Sequence, residues 1–215
     1  MPFQGEVTRD QRFKEAFAGV VIYGVAGTNG SGKDTILDLM AEHGFLAFNT
    51  SNGLRQITMA VMGTTQRGGN DSPTGKIANA QRSVYDGGMV SLGLIDYWAR
   101  VLHMPKELHP KGLVIGSIRA VGEVETLKNF GGKLIVVDAD PRIRYRRLTS
   151  RGRAYEKQIS FEQFIAEEEA EMGRSETDPS KFGIAQVMKM ADITITNDSD
   201  DLEMFKAHAR EKLGL

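Results

Sequence analysis

The 215-residue sequence contains no cysteine, which excludes a disulfide framework and any cysteine-based zinc site. Its four histidines, His43, His103, His109 and His208, lie scattered and show no ligand spacing. Excess charge is also lacking: 27 Lys and Arg against 28 Asp and Glu leave a formal net charge of -1. No global field therefore draws nucleic acid or an anionic membrane. No apolar run approaches the ~20 residues of a membrane span. Residues 1–18 are polar, without the apolar core of a secretory leader. There is no internal repeat and no linker separating two full domains. These absences lead us to expect one soluble, cytoplasmic domain over 1–215, with no nucleic-acid and no membrane partner.

What is abundant is glycine, 24 residues concentrated between periodic segments. The most informative stretch is Gly27-Thr28-Asn29-Gly30-Ser31-Gly32-Lys33-Asp34-Thr35. It follows the β-branched run Val20–Val25 and precedes Ile36-Leu37-Asp38-Leu39-Met40, which reads as helix. Strand, glycine loop and helix form the context in which G-x-x-x-x-G-K-[ST] is a phosphate-binding P-loop. The glycines let successive N–H groups turn toward phosphate oxygens. The helix start adds its unpaired N–H groups and the positive end of its dipole. Thr28 to Thr35 are thus the expected ATP-binding residues, with Lys33 reaching the β- and γ-phosphates. The position usually held by a Ser or Thr metal ligand is Asp34, with Thr35 after it. A carboxylate is a hard oxygen ligand able to hold Mg²⁺ directly or through water; it can equally repel the γ-phosphate.

Further along the chain, Phe45–Phe48, Leu113–Gly116, Leu134–Asp138 and Ile193–Thr196 read as strands. Helices are expected at Lys33–His43, at Ser51 or Asn52 through Val61, within 77–103 with a break near Gly87, at Glu123–Phe130, Pro141–Ser150 and Phe161–Met172, up to Met190, and from Asp201 to Lys212. Residues 63–76 read as a mobile loop, 151–181 as a lid region, and 1–18 as a polar lead-in in which Arg12–Phe17 has the pattern of a short helix. Five short apolar runs alternating with helices predict an α/β fold: a five-stranded parallel sheet, helices on both faces and a small lid. Ligands of such sheets bind beyond the C-terminal strand ends. Several arginines stand at those ends: Arg55, Arg119, and Arg147 and Arg151 four apart on one helix face, with Arg153 beyond. Arginine makes bidentate, charge-assisted bonds to phosphate. Taken singly, each also reads as a solvent-facing partner in a surface pair.

The set resembles the P-loop kinases of small metabolites: nucleoside and deoxynucleoside monophosphate kinases, and dephospho-CoA kinase. Thr50-Ser51-Asn52-Gly53-Leu54-Arg55 is similar to the segment in which nucleoside monophosphate kinases hold the acceptor phosphate. Val114-Ile115-Gly116-Ser117-Ile118-Arg119, with Glu123 and Glu125 following, resembles a D-G-x-R-x-x-x-E segment, but Gly116 stands where many relatives carry an acid near the metal. Val137-Asp138-Ala139-Asp140 with Arg147, Arg151 and Arg153 resembles a fourth strand and its lid-entry arginines. Met190–Asp198 resembles a late A-D-x-x-I-x-N strand and loop. The resemblance covers about residues 20–210 and implies ATP and Mg²⁺ as cofactors.

On that resemblance, Lys33 and the loop hold the donor, and Asp34 and Thr35 the metal. Arg55, Arg119 and Arg153 bind a small-molecule phosphate acceptor, and Arg119, Arg147 and Arg151 stabilise the transferring group. Asn197 lies near the adenine or, equally, caps the turn into the last helix. The acidic run Glu167–Glu171 reads as a solvated face or as a partner of lid arginines. The segment Asn49–Asn52 offers no acid to serve as a base. This favours a phosphate acceptor, a (deoxy)nucleoside monophosphate, over the ribose hydroxyl of dephospho-CoA. A nucleotide-binding switch or ATPase, and a non-catalytic relative, remain as alternatives; no D-x-x-G follows the third strand.

Overall fold

The computed structural model describes residues 9–49, 59–61, 63, 76, 87–151, 159–172 and 183–215. Its elements run α1 (Arg9–Ala16), β1 (Val21–Gly27), α2 (Lys33–Glu42), β2 (Phe45–Phe48), α3 (Gly88–Arg100), a 3-10 turn (Lys106–Leu108), β3 (Gly112–Ile118), α4 (Val121–Asn129), β4 (Lys133–Asp138), α5 (Pro141–Ser150), α6 (Phe161–Met172), α7 (Ile184–Lys189), β5 (Ile193–Thr196) and α8 (Leu202–Leu213). The five strands form one sheet in the order β2-β3-β1-β4-β5, and every pairing is parallel. This is the expected α/β sheet. Among the described residues no helix is long and apolar enough to cross a membrane.

Each central strand is apolar on both faces, because side chains alternate across a strand and both faces are covered. On β4, Leu134 and Val136 enter one core with Leu113, Ile115, Leu94, Val124 and Val187. Ile135 and Val137 enter the other, with Val25, Ile36, Leu39, Met40, Ile195 and Phe205. Helices α3, α4 and α7 therefore cover one face, and α2 and α8 the other.

Three expectations change here. Strand β3 is longer than Leu113–Gly116, running Gly112–Ile118, because it is bonded on both sides, to β1 and to β2. The chain before β1 is not merely a polar lead-in. Phe13 of α1 and Phe17, in the turn just past its end, are four apart and both pack inward, Phe13 against the first core and Phe17 buried within it. Its ring meets Phe130 edge-on at 5.5 Å and tilts against Tyr97 at 5.9 Å, while Phe13 lies 6.2 Å from Trp98. Burial also raises the Tyr97 pKa.

The third change is Glu168. The acidic run on α6 is not wholly a solvated face: Glu168 is paired with an arginine of α5. Glu168 forms a two-pronged ion pair with Arg144 of α5, one prong being 2.8 Å. Arg144 is buried, and its Nε donates to the Ala139 carbonyl at 2.7 Å. Arg144 also lies 5.5 Å from the Phe164 ring, and Tyr145 packs on Phe161 and Phe164. Part of the expected lid region, α6, is thereby docked on α5. The expected loop at 63–76 falls almost wholly outside the described residues. So do most of the expected helix from Ser51 to Val61 and the first part of that within 77–103.

Candidate functional site

Strand β1 lies at the sheet centre, and the chain leaves its C-terminal end as Gly27–Gly32 before entering α2. At that end β1 is flanked by β3 and β4, the two strands whose own C-terminal ends carry Arg119 and Asp138. Helix α5 opens with an Asp140 side-chain cap on the Arg142 N–H. Helix α8 opens with Asp201 capping the N–H groups of Glu203 and Met204. Helix α2 differs: its N-cap is Gly32 in the left-handed region at φ 105°, with no side-chain cap. A helix start leaves its first N–H groups without intrahelical partners. Ile36 donates to the Gly32 carbonyl at 3.3 Å, and among the described residues no backbone carbonyl accepts from Gly32, Asp34 or Thr35. Together with the dipole of a ten-residue helix, that is an anion-binding arrangement.

The carbonyls of the loop are held by side chains. Thr28 O accepts from Ser31 Oγ at 2.9 Å and from Lys33 Nζ, which folds back along the loop. Gly30 O accepts from Arg147 Nη1 at 3.4 Å. Ser31 O accepts from Asn197 Nδ2 at 2.7 Å. Thr28 is buried, and its hydroxyl donates to Asp138 Oδ1 at 3.1 Å, joining the loop to the end of β4.

The sequence-predicted residues sort as follows. Thr28, Asn29, Gly30, Ser31, Gly32, Lys33, Asp34 and Thr35 form the loop and the first turn of α2. Arg119 is brought to the loop, its Nη2 donating to Asn29 Oδ1 at 3.1 Å. Its backbone is fixed by Glu123, a buried carboxylate that accepts from the N–H groups of Arg119 (2.7 Å), Ala120 (3.1 Å) and Met89 (2.9 Å). Arg147 is also at the loop, bonded to Ser199 O at 2.6 Å and Asn197 Oδ1 at 3.2 Å. Burial lowers the Arg147 pKa; Asp200 and Asp198 pull it up, and Arg146 and Arg151 push it down. Arg151 is exposed at the end of α5. Asn197 is buried, its own N–H donating to Asp138 O at 2.8 Å. Arg55 and Arg153 lie outside the described residues.

Residue pattern alone missed Arg144 as a buried brace; its one available signal is that it shares a helix row with Leu148, also buried. Gly116 acquires a reason. A Cβ there would stand 2.5 Å from Leu37 Cδ1, so α2 packs where an acidic side chain would otherwise start.

For a divalent ion the donor set is oxygen: an exposed carboxylate at Asp34 and the Thr35 hydroxyl, both on the first turn of α2. Hard oxygen donors beside an anion-binding loop fit Mg²⁺ rather than a softer metal. No cluster of three or more His, Cys, Asp or Glu side chains able to hold a metal occurs among the described residues.

Comparison with known proteins adds the following. Residues 24–172 match the family described as AAA domain. A UPF0200 protein of Pyrobaculum aerophilum is 29% identical over 185 residues, covering 85% of this chain and 90% of its own length. Among solved structures, TT1252 from Thermus thermophilus aligns with a TM-score of 0.53 and 19% identity, over 90% of this chain and 94% of that one. Shikimate kinase from Bacteroides thetaiotaomicron aligns with a TM-score of 0.52 and 13% identity, over 91% and 99%. At these identities the two structures show the fold alone, an α/β P-loop NTPase-like fold.

Proposed function

Because the chain belongs to the AAA domain family, we propose that its P-loop serves ATP-dependent phosphoryl transfer to a small nucleotide-like acceptor, with a nucleoside or deoxynucleoside monophosphate favoured. The observation that carries this reading is the uncapped start of α2, with the loop carbonyls tied back and Lys33 beside them. The first-turn N–H groups take the β-phosphate, and Lys33 swings from the Thr28 carbonyl to the β- and γ-phosphates. Asp34 and Thr35 would hold Mg²⁺, which would supply positive charge against the triphosphate. Arg119, already at Asn29, serves the transferring group or the acceptor, and Arg55 and Arg153 are assigned to the acceptor by their place in the sequence alone. Arg147 and Arg151 add positive charge at the donor end. Phosphoryl transfer depends on this kind of positioning and charge stabilisation. A phosphate acceptor is already an anionic nucleophile, which suits a site rich in arginine.

The test is a screen of ADP formation. ATP and Mg²⁺ are supplied with each nucleoside and deoxynucleoside monophosphate in turn, and separately with dephospho-CoA. We expect turnover with one of the monophosphates and its loss in Lys33→Ala, whose circular dichroism stays that of the wild type. Turnover with dephospho-CoA alone would move the acceptor to a ribose hydroxyl. Near wild-type turnover in Lys33→Ala would place the donor elsewhere.

A further inference from the structure

Asn197 is joined to the phosphate loop by contacts that leave its side-chain amide little freedom. It is 6% exposed. The residue lies 166 positions from Ser31 in sequence, yet its Nδ2 reaches the Ser31 carbonyl at 2.7 Å. Which end of the amide is nitrogen is settled by chemistry. Arg147 can only donate, so the end it meets at 3.2 Å is the oxygen, and the end on Ser31 O is the donor. Arg147 is itself held by the Ser199 carbonyl at 2.6 Å, and the Asn197 backbone by the Asp138 carbonyl at 2.8 Å.

A trans peptide is planar, and its C=O and N–H point in opposite directions. Fixing the Ser31 carbonyl toward Asn197 therefore turns the Gly32 N–H away from Asn197. Gly32 sits at φ 105°, where a side chain would be strained, and a Cβ there would be 2.5 Å from Asn197 Nδ2. Glycine thus lets the asparagine approach closely enough to hold the peptide.

We propose that Asn197 is a positioning residue of the phosphate site, acting through the Ser31–Gly32 peptide rather than on the base of the nucleotide, with Arg147 orienting its amide. The proposal rests on the reading of the loop as a triphosphate site. Its ligand chemistry is the polyphosphate itself, so the base should not matter to it.

Inorganic tripolyphosphate, which has no base, separates the two roles. Binding of tripolyphosphate and of ATP, each with Mg²⁺, is measured by calorimetry for wild type, Asn197→Ala and the milder Asn197→Ser. A residue acting through the peptide weakens both ligands by the same factor, which we expect to be about tenfold or more for lost aim of a donor on charged phosphate. In the ligand-free proteins, the carbonyl carbon resonance of Ser31 should move in both variants, a change that general loosening of α8 would not confine to that peptide. Weaker ATP binding with unchanged tripolyphosphate binding would overturn the proposal and put Asn197 at the base. An unmoved Ser31 carbonyl would overturn it as well. A wild-type protein that binds neither ligand removes the donor site, and the proposal with it; a wild type that binds both, with variants that bind them equally well, overturns the proposal and leaves the donor site standing.

Discussion

Asp34 places a full negative charge in the first turn of α2, beside N–H groups arranged for an anion. As a metal ligand it strengthens the hold on Mg²⁺; without the ion, its repulsion of the triphosphate is unrelieved. Wild type should bind ATP far more weakly in EDTA than in Mg²⁺, and Asp34→Asn should narrow that gap by improving metal-free binding. Calorimetric titration of both proteins checks this, and equal metal dependence would make Asp34 a charge on the helix dipole and no more. A second carboxylate acts on stability instead. Burial pushes the Asp192 carboxyl up, but the Leu134 N–H at 2.7 Å and the Lys128 ammonium at 3.0 Å outweigh it, and the net shift is downward. A carboxyl whose folded pKa lies below its unfolded value, ~3.9 for aspartate, stabilises above that value and loses this contribution as pH falls through the folded pKa. Asp192→Asn should therefore be less stable than wild type by a constant margin from pH 5 to 8, about the range over which the carboxyl is ionised in both states. The margin should shrink below about pH 4 in urea unfolding.

At the scale of elements, α6 is held to α5 by a charge pair rather than by shape alone. Arg144 and Glu168 side chains are 4% and 14% exposed. Removing one partner of a buried pair strands the other, at a typical cost of ~3–5 kcal/mol. Arg144→Ala or Glu168→Ala should show a loss of that order in urea unfolding, and the apolar pair Arg144→Met with Glu168→Leu should recover much of it. Sequence pattern located most of the described elements. The P-loop, β5 at Ile193–Thr196, α5 at Pro141–Ser150 and α6 at Phe161–Met172 all carry local signals, either a proline in the first turn, a β-branched run or helical spacing. The Arg144–Glu168 pair was not legible, because α5 carries five arginines within ten residues counting its C-cap Arg151 and nothing local marks the one facing inward. The link from Asn197 to Ser31 was invisible for the same reason: it depends on β5 lying beside β4 and thereby bringing its C-terminal loop to the P-loop. Phe13 and Phe17 were readable as a pair four apart, yet the polar composition around them outweighed that signal.

At the scale of the whole molecule, ligand at the centre of the sheet should be felt throughout, since β1 is bonded on both sides and borders both cores. With Mg²⁺ and ATP at 100 times Kd, a ligand bound by the native state alone adds ~2.7 kcal/mol. For a chain of this length that corresponds to a rise in Tm of roughly 5–10 °C. Lys33→Ala should lose most of that rise in a thermal-shift measurement. The other end of the sheet carries its own optical reporter. The sequence has one tryptophan, Trp98. Its indole is 40% exposed, 6.2 Å from Phe13 of α1 and 5.1 Å from His103. Helix α1 leads directly into the N-terminal end of β1, so this indole sits at the end of the sheet away from the phosphate loop. Its fluorescence should thus report the seating of α1 on α3, since among the described residues no contact joins it to the phosphate loop. Phe13→Ala should shift the emission to the red, while saturation with ATP leaves its colour unchanged, so a single cuvette can tell detachment of α1 from events at the phosphate loop.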